Sequence, residues 1–228
     1  MLPDIPTIIK CPHCQQKALK ESLLSGNTFG AVNWTDGKCE APMLPDFPRI
    51  TFCTCCQQPY WVEDAKEFDQ ISVRDPAENN SPTKKKITFP SFREYSSCLG
   101  TEIVRNVDDE IYIRRSMWWC YNDFYRNQYK DEKLFGSATR FDRSNAVTEL
   151  TDEINELYTD NCRSLLKLYG GQKEEDFLTS AELYRNLGEW GDSLILLELV
   201  VSKELEMYVD KIRKYVELGN RNVQPVLR

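Results

Sequence analysis

The chain has 228 residues, 41% of them hydrophobic and 29% charged, with a formal net charge of -7 at pH 7. This length suits one large or two small domains, and a composition near the globular average excludes a chain that stays unfolded for want of apolar residues. Lys and Arg stand against Asp and Glu as 7 to 10 in residues 1–75, 4 to 2 in 76–100 and 18 to 24 in 101–228, and an acidic surface of this kind repels a phosphate backbone at long range.

The amino terminus, MLPDIPTIIK, lacks the basic-then-apolar run of a secretory signal. The longest aliphatic stretch, Leu194 to Val201, is interrupted by Glu198 and falls far short of the roughly 20 residues that cross a bilayer. A cytoplasmic protein is expected, and in a reducing compartment nine cysteines, an odd number, argue for thiols or metal rather than a disulfide framework.

Cys11-Pro12-His13-Cys14 and Cys53-Thr54-Cys55-Cys56 share a Cys-x-x-Cys spacing, and each continues with two glutamines, Gln15-Gln16 and Gln57-Gln58. Two residues between thiolates let a tight turn aim both sulfurs at one ion while backbone N–H groups donate to them. A pair of such turns makes a tetrahedral four-sulfur cage suited to one Zn(II) per chain. The expected ligands are Cys11, Cys14, Cys53 and Cys56. Cys55 competes with Cys56 but breaks the repeated spacing, His13 lies inside the first turn and could ligate, and Cys39 could approach the site. Cys98, Cys120 and Cys162 show no pairing pattern and read as buried small hydrophobes.

Over about residues 8–70 this arrangement resembles the knuckle pairs of zinc-ribbon and rubredoxin-like domains. It departs from them in carrying Gln15 and Gln57 where a left-handed backbone favours Gly, and in the 38 residues that separate Cys14 from Cys53. The insertion contains Asp36-Gly37, a two-residue hairpin-turn signal, between Val32 and Lys38. Leu23–Gly30 and Ile50–Phe52 supply further strand candidates, and Pro42, Pro45 and Pro48 keep the stretch between them irregular. So small a sheet buries little apolar surface, which is the physical reason to expect a metal staple.

Residues 72–90 have the Pro-, Asn-, Ser- and Lys-rich composition of a linker. Beyond it the pattern turns helical, so the expected fold class is α+β, with a zinc-ribbon-like domain at 1–71 and an α-helical domain at 91–228. A helix of about 19 residues starts near Asp108-Asp109, and steps of three or four align Arg115, Trp119, Asn122 and Arg126 on one of its faces. Residues 144–169 predict a second helix with Val147, Leu150, Ile154, Leu157 and Tyr158 as its buried stripe. Glu174 to Leu187 predicts a third, stopping near Gly188, and Asp192 to Leu218 a fourth.

The order Phe177, Ala181, Tyr184, Gly188, Trp190, Ser193, Leu197, Val200 resembles a tetratricopeptide repeat over about residues 174–205, with Ser180 and Leu205 departing from its usual Leu and Pro. The resemblance implies two closely packed antiparallel helices whose first helix lines a groove with Glu175, Leu178, Glu182, Arg185 and Asn186.

The sole histidine sits in a knuckle, no phosphate loop or nucleophile elbow occurs, and four thiolates leave zinc no open position, so catalysis is not expected. The leading expectation is a non-enzymatic zinc-binding adaptor that recognises a protein or peptide through Arg115, Trp119, Asn122, Arg126, Arg185 and Asn186. The alternative is a nucleic-acid-binding ribbon in which Tyr60-Trp61 stack bases, with Lys10, Lys17, Lys20 and Lys84-Lys85-Lys86 nearby in sequence.

Overall fold

The structure, a computed structural model, describes residues 1–70, 85–129, 143–171 and 173–226. Most of the expected linker, residues 72–84 with Lys84, lies outside them.

The amino-terminal part is a set of short strands: β1 (Leu2–Pro3), β2 (Thr7–Lys10), β3 (Lys17–Lys20), β4 (Leu23–Ser25), β5 (Val32–Trp34), β6 (Cys39–Glu40), β7 (Ile50–Phe52), β8 (Pro59–Trp61), β9 (Lys66–Gln70) and β10 (Lys85–Lys86). They form a four-stranded sheet in the order β10-β3-β2-β9, the pair β1-β4 and the pair β7-β8. The hairpin β5-β6 gains a third strand from the far end of the chain, β11 (Pro225–Val226), which runs antiparallel to β5.

The helices are α1 (Phe92–Cys98), α2 (Val107–Arg126), α3 (Asp152–Leu168), α4 (Glu174–Leu187), α5 (Trp190–Leu197) and α6 (Glu206–Glu217). Small sheets at one end and helices at the other make the chain α+β, as expected. α1 was not anticipated, although its signal is in the sequence. Ser91 and Glu94 form a capping box in which each side chain takes the other's backbone N–H. Asn106 caps α2, and Asp108, Asp109 and Glu110 occupy its first turn, where the helix dipole favours acids.

Two predicted helices are corrected. The second starts at Asp152 rather than Ser144, because the Thr151 side chain accepts the Ile154 N–H and sets the first turn there. The predicted fourth helix is broken into α5 and α6. At the break the Glu174 carboxylate of α4 accepts the backbone N–H groups of Val201 and Ser202, so a contact distant in sequence satisfies donors that a continuous helix would have used itself. The hairpin turn is also longer than expected. Thr35, Asp36 and Gly37 lie between Trp34 and Lys38, whose backbones bond at 2.9 Å, and Gly37 takes the left-handed conformation at φ 76°.

Four buried clusters organise the described residues, the smallest being Val32, Trp34 and Val223. The largest joins Phe92, Tyr95, Ile113, Met117, Trp118, Tyr158 and Leu165 of the helices to Ile50 and Trp61 of the β7-β8 hairpin. A smaller one, containing Ile9, Cys11, Cys53, Tyr60, Val62 and Ala65, underlies the knuckles. Tyr60 and Trp61 therefore serve different cores, as the alternation of side chains along a strand requires. The third joins Leu178, Ala181, Leu197, Val200, Val209, Ile212 and Val216 of α4, α5 and α6. In it Ala181 and Ser193 are fully buried, the Ser193 hydroxyl donates to the Ala181 carbonyl at 2.8 Å, and Gly188 turns the chain at φ 81°. Small residues at this crossing let α4 and α5 approach closely as a helical hairpin.

Candidate metal centre

The two Cys-x-x-Cys turns adopt the same backbone. The N–H of Cys11 bonds the carbonyl of Gln16 at 2.9 Å and that of Gln15 returns to Cys11; the N–H of Cys53 bonds Gln58 at 3.0 Å and that of Gln57 returns to Cys53. Gln15 and Gln57 take φ of 63° and 58°, the left-handed positions where glycine would be less strained. Among the described residues these are the two non-glycine residues with positive φ, and the amide groups of both reach back to carbonyls of their own turn, Gln15 to Cys11 and Gln57 to Thr54. The expected knuckle geometry is thus present in spite of the side chains that depart from it.

Facing each other, the turns gather Cys11, Cys14, Cys53 and Cys56 with all four sulfurs within 4.8 Å. The Cys11–Cys56 and Cys14–Cys53 sulfurs are 3.8 and 3.5 Å apart. These separations are far longer than a disulfide bond and near the roughly 3.8 Å edge of a tetrahedron built on metal–sulfur bonds of about 2.3 Å. The cluster could hold a metal ion. Its environment acts on the thiols in opposite directions. Burial pushes the Cys11 thiol up to about 12, but backbone groups of Cys14 and His13 oppose that shift, and the backbone of Gln16 brings the Cys14 thiol down to about 7. The Cys55 N–H lies 3.4 Å from the Cys53 sulfur. Removing protons from four clustered sulfurs leaves a concentration of negative charge that a divalent cation would neutralise.

The competing ligands are outside the four-sulfur group. Cys55 is exposed, and besides its backbone donor its thiol interacts with that of Cys14; Cys39 is exposed on β6, and His13 Nε2 is 3.0 Å from the Pro59 carbonyl. Cys98, Cys120 and Cys162 are buried among the helices, as expected.

The residues expected to face a partner need correction. Arg126 and Arg185 are 0% exposed, and Asn122 and Asn186 are buried beside them. Arg126 pairs with Asp36 of the hairpin turn and with Asp123 at 2.6 Å; Lys38 reaches Asp123 at 2.7 Å, and the Asn122 amide donates to Asp36 at 2.8 Å. Arg143 holds Glu40 at 2.5 Å, and Glu40 in turn accepts the Trp34 indole N–H. On α4, Arg185 pairs with Glu182 at 2.5 Å and donates to the carbonyls of Asn220 and Asn222, while the Asn186 amide donates to that of Arg221. Thr35 donates to Glu182 at 2.6 Å and accepts the Gln224 N–H at 3.1 Å.

These polar groups tie the β5-β6 hairpin and the carboxyl-terminal segment to α2 and α4. Of the residues expected to line a groove, Leu178, Glu182, Arg185 and Asn186 are buried and Glu175 is exposed. Arg115 and Trp119 are half-buried; the guanidinium sits 5.1 Å from the ring centroid, and the indole donates to the Asp36 carbonyl. Tyr60 and Trp61 are 3% and 1% exposed, which removes them as base-stacking platforms.

The exposed apolar surface that sequence reasoning missed lies on α5 and the segment after it. Ile195 on α5 and Leu199 just past its end are 65% and 48% exposed, followed by Val201 at 79% and Met207 on α6. Its signal was present as the aliphatic run from Leu194 to Val201, which supplies more apolar side chains than one buried stripe can use. Among the described residues no helix is long and apolar enough to cross a membrane. Comparison with protein-family models, with curated proteins and with solved structures gives no match to this chain.

Proposed function

We propose that the protein is a non-enzymatic adaptor of the cytoplasm, in which one structural Zn(II), held by Cys11, Cys14, Cys53 and Cys56, braces a ribbon-like amino-terminal module and a helical half recognises a protein or peptide partner. The four-sulfur cluster carries the reading. Thiolates in a tetrahedral set suit zinc, and four protein ligands close the coordination shell so that no position remains for an activated water. The nine free thiols fit a reducing compartment. The close α4-α5 hairpin, with Ala181 and Ser193 at its crossing, fits a single tetratricopeptide-like unit.

The partner would meet the apolar ridge of Ile195, Leu199, Val201 and Met207, because the concave side expected to receive it is filled by the chain's own residues 220–224 and Thr35. Exposed apolar residues grouped in this way mark interaction surfaces. Asp192, Glu204 and Glu206, exposed and close in sequence to these residues, outnumber the exposed Lys203 there and favour a partner segment that is apolar on one side and basic at its flanks.

The test combines elemental analysis with affinity capture. One zinc per chain is expected, and Ile195→Glu with Val201→Glu should abolish partner capture while leaving zinc content and thermal melt unchanged. Full zinc in a Cys11→Ser/Cys14→Ser variant would overturn the metal assignment, and undiminished capture by the Ile195/Val201 variant would overturn the docking ridge.

A further inference from the structure

The four-stranded sheet carries a row of like charges. Strand register sets Lys10 of β2 directly opposite Lys17 of β3 on one side and Lys66 of β9 on the other. Residues directly opposite one another project from the same face of a sheet, so three ammonium groups form a row across three adjacent strands. Like charges in this relation destabilise a sheet. Lys20 and Lys86, also on this sheet, are paired with Glu67 and Glu21, yet among the described side chains no carboxylate forms an ion pair with Lys10, Lys17 or Lys66. This row stands in a chain whose net charge is -7.

Phe68, at the register shift of β9 between the residues opposite Ile9 and Ile8, is 51% exposed, and the Lys10 and Lys17 ammonium groups lie over its ring at 3.9 and 4.3 Å from the centroid, which puts the ring beside the row. An exposed ring beside cations that carry no ion pair is the combination by which single-stranded nucleic acids are held, the cations meeting phosphates and the ring a base. An acidic peptide would use the cations and gain nothing from the exposed part of the ring.

We infer that the Lys10, Lys17, Lys66 and Phe68 face of the β3-β2-β9 sheet is a binding site for single-stranded nucleic acid. The site is separate from the apolar ridge on α5, and it differs from the stacking pair that sequence reasoning had suggested, since Tyr60 and Trp61 are buried. It explains how an acidic chain can bind a polyanion: affinity is local, confined to three phosphates, and the remaining surface opposes wider wrapping.

Fluorescence anisotropy with 15-nucleotide oligothymidylate and oligouridylate on the full chain tests this. Binding of either oligomer is expected, and a preference between them distinguishes DNA from RNA. With three phosphates neutralised on a single strand, the logarithm of affinity should fall against that of salt with a slope of about -2, roughly a 20-fold loss between 50 and 200 mM. Lys10→Gln/Lys17→Gln/Lys66→Gln should abolish binding at 50 mM salt, Lys17→Arg/Lys66→Arg should retain it, and Lys167→Gln/Lys203→Gln should have no effect. Phe68→Ala should weaken binding about tenfold at fixed salt and leave the slope unchanged, because stacking displaces no counterions. No binding of either oligomer at 50 mM, or undiminished binding by the triple Gln variant, would overturn the proposal. Equal competition by polyglutamate of the same length would also overturn it and assign the face to acidic peptides.

Discussion

The two knuckles and the β5-β6 hairpin are neighbours in sequence but depend on different physics. Each knuckle is a local object: six consecutive residues close a turn on themselves, and only the meeting of two such turns is long-range. The hairpin is local only in its turn. Its position depends on Asp36, Lys38 and Glu40 finding Arg126, Asp123 and Arg143 about 90 residues away, and on Thr35 finding Glu182 and Gln224. A cysteine can advertise its role through spacing, because coordination is short-ranged and geometrically demanding. A buried Arg cannot, because its sequence neighbourhood is the same whether it meets solvent or a carboxylate from another part of the chain.

The comparison can be broken most forcefully at the metal. Apparent binding energies of structural zinc are on the order of 10–16 kcal/mol, and the small apolar cluster under the knuckles has little to replace it. Chelation should therefore abolish hydrogen-exchange protection in β2, β3, β8 and β9 while the helical circular dichroism and the protection of β5 persist. Loss of both at one chelator concentration would show a single cooperative unit.

Next in size is the ion cluster. Arg126→Met leaves Asp36 and Asp123 buried without their shared partner, which should cost about 3–5 kcal/mol of stability in urea unfolding. Zinc content should stay at the wild-type value, and a parallel loss of zinc would erase the distinction between the two regions. Thr35→Val removes a hydroxyl that donates to Glu182 and accepts from Gln224, and should cost about 1–3 kcal/mol with increased exchange at β11.

The ion cluster also predicts a pH dependence. Burial alone would raise the Asp123 carboxyl, but the charges of Arg126 and Lys38 outweigh it and hold the group below its ordinary value. Its stabilising contribution is therefore fully present above the unfolded carboxyl's value of about 3.9 and is lost as pH falls from there through the lower folded value. In a Cys11→Ser/Cys14→Ser background, where metal release cannot contribute, the helical urea midpoint should decline over that acid range, and Asp123→Asn should flatten the decline. The smallest effect is expected at the exposed cysteines: Cys39→Ser and Cys55→Ser should leave zinc content and melting temperature within error, and loss of zinc on changing Cys55 would reassign the second knuckle.

Several elements were legible from the sequence for a reason that the structure makes plain. α4 ends at Leu187 because Gly188 takes the left-handed conformation, and the end of a helix is set within one turn of chain. The capping box of α1 was equally local and was overlooked only because Ser91 and Glu94 adjoin a Pro- and Lys-rich stretch. The break between α5 and α6 is different in kind, since helical periodicity continues through it and Glu174, 27 residues earlier, supplies the acceptor that ends it.

By itself the sequence determined the four-sulfur cluster, the α+β division, the left-handed turn positions and most helix ends, all of which rest on interactions within a few residues or on a repeated spacing. Only the tertiary structure decided that Arg126, Arg185, Asn122 and Asn186 are internal, that the carboxyl-terminal strand completes the β5-β6 sheet, and that Lys10, Lys17 and Lys66 stand in one row. The physical reason is common to all three. A charged or amide side chain is compatible with solvent, a buried partner or a ligand, and strand register, which no single strand encodes, determines which of these it meets.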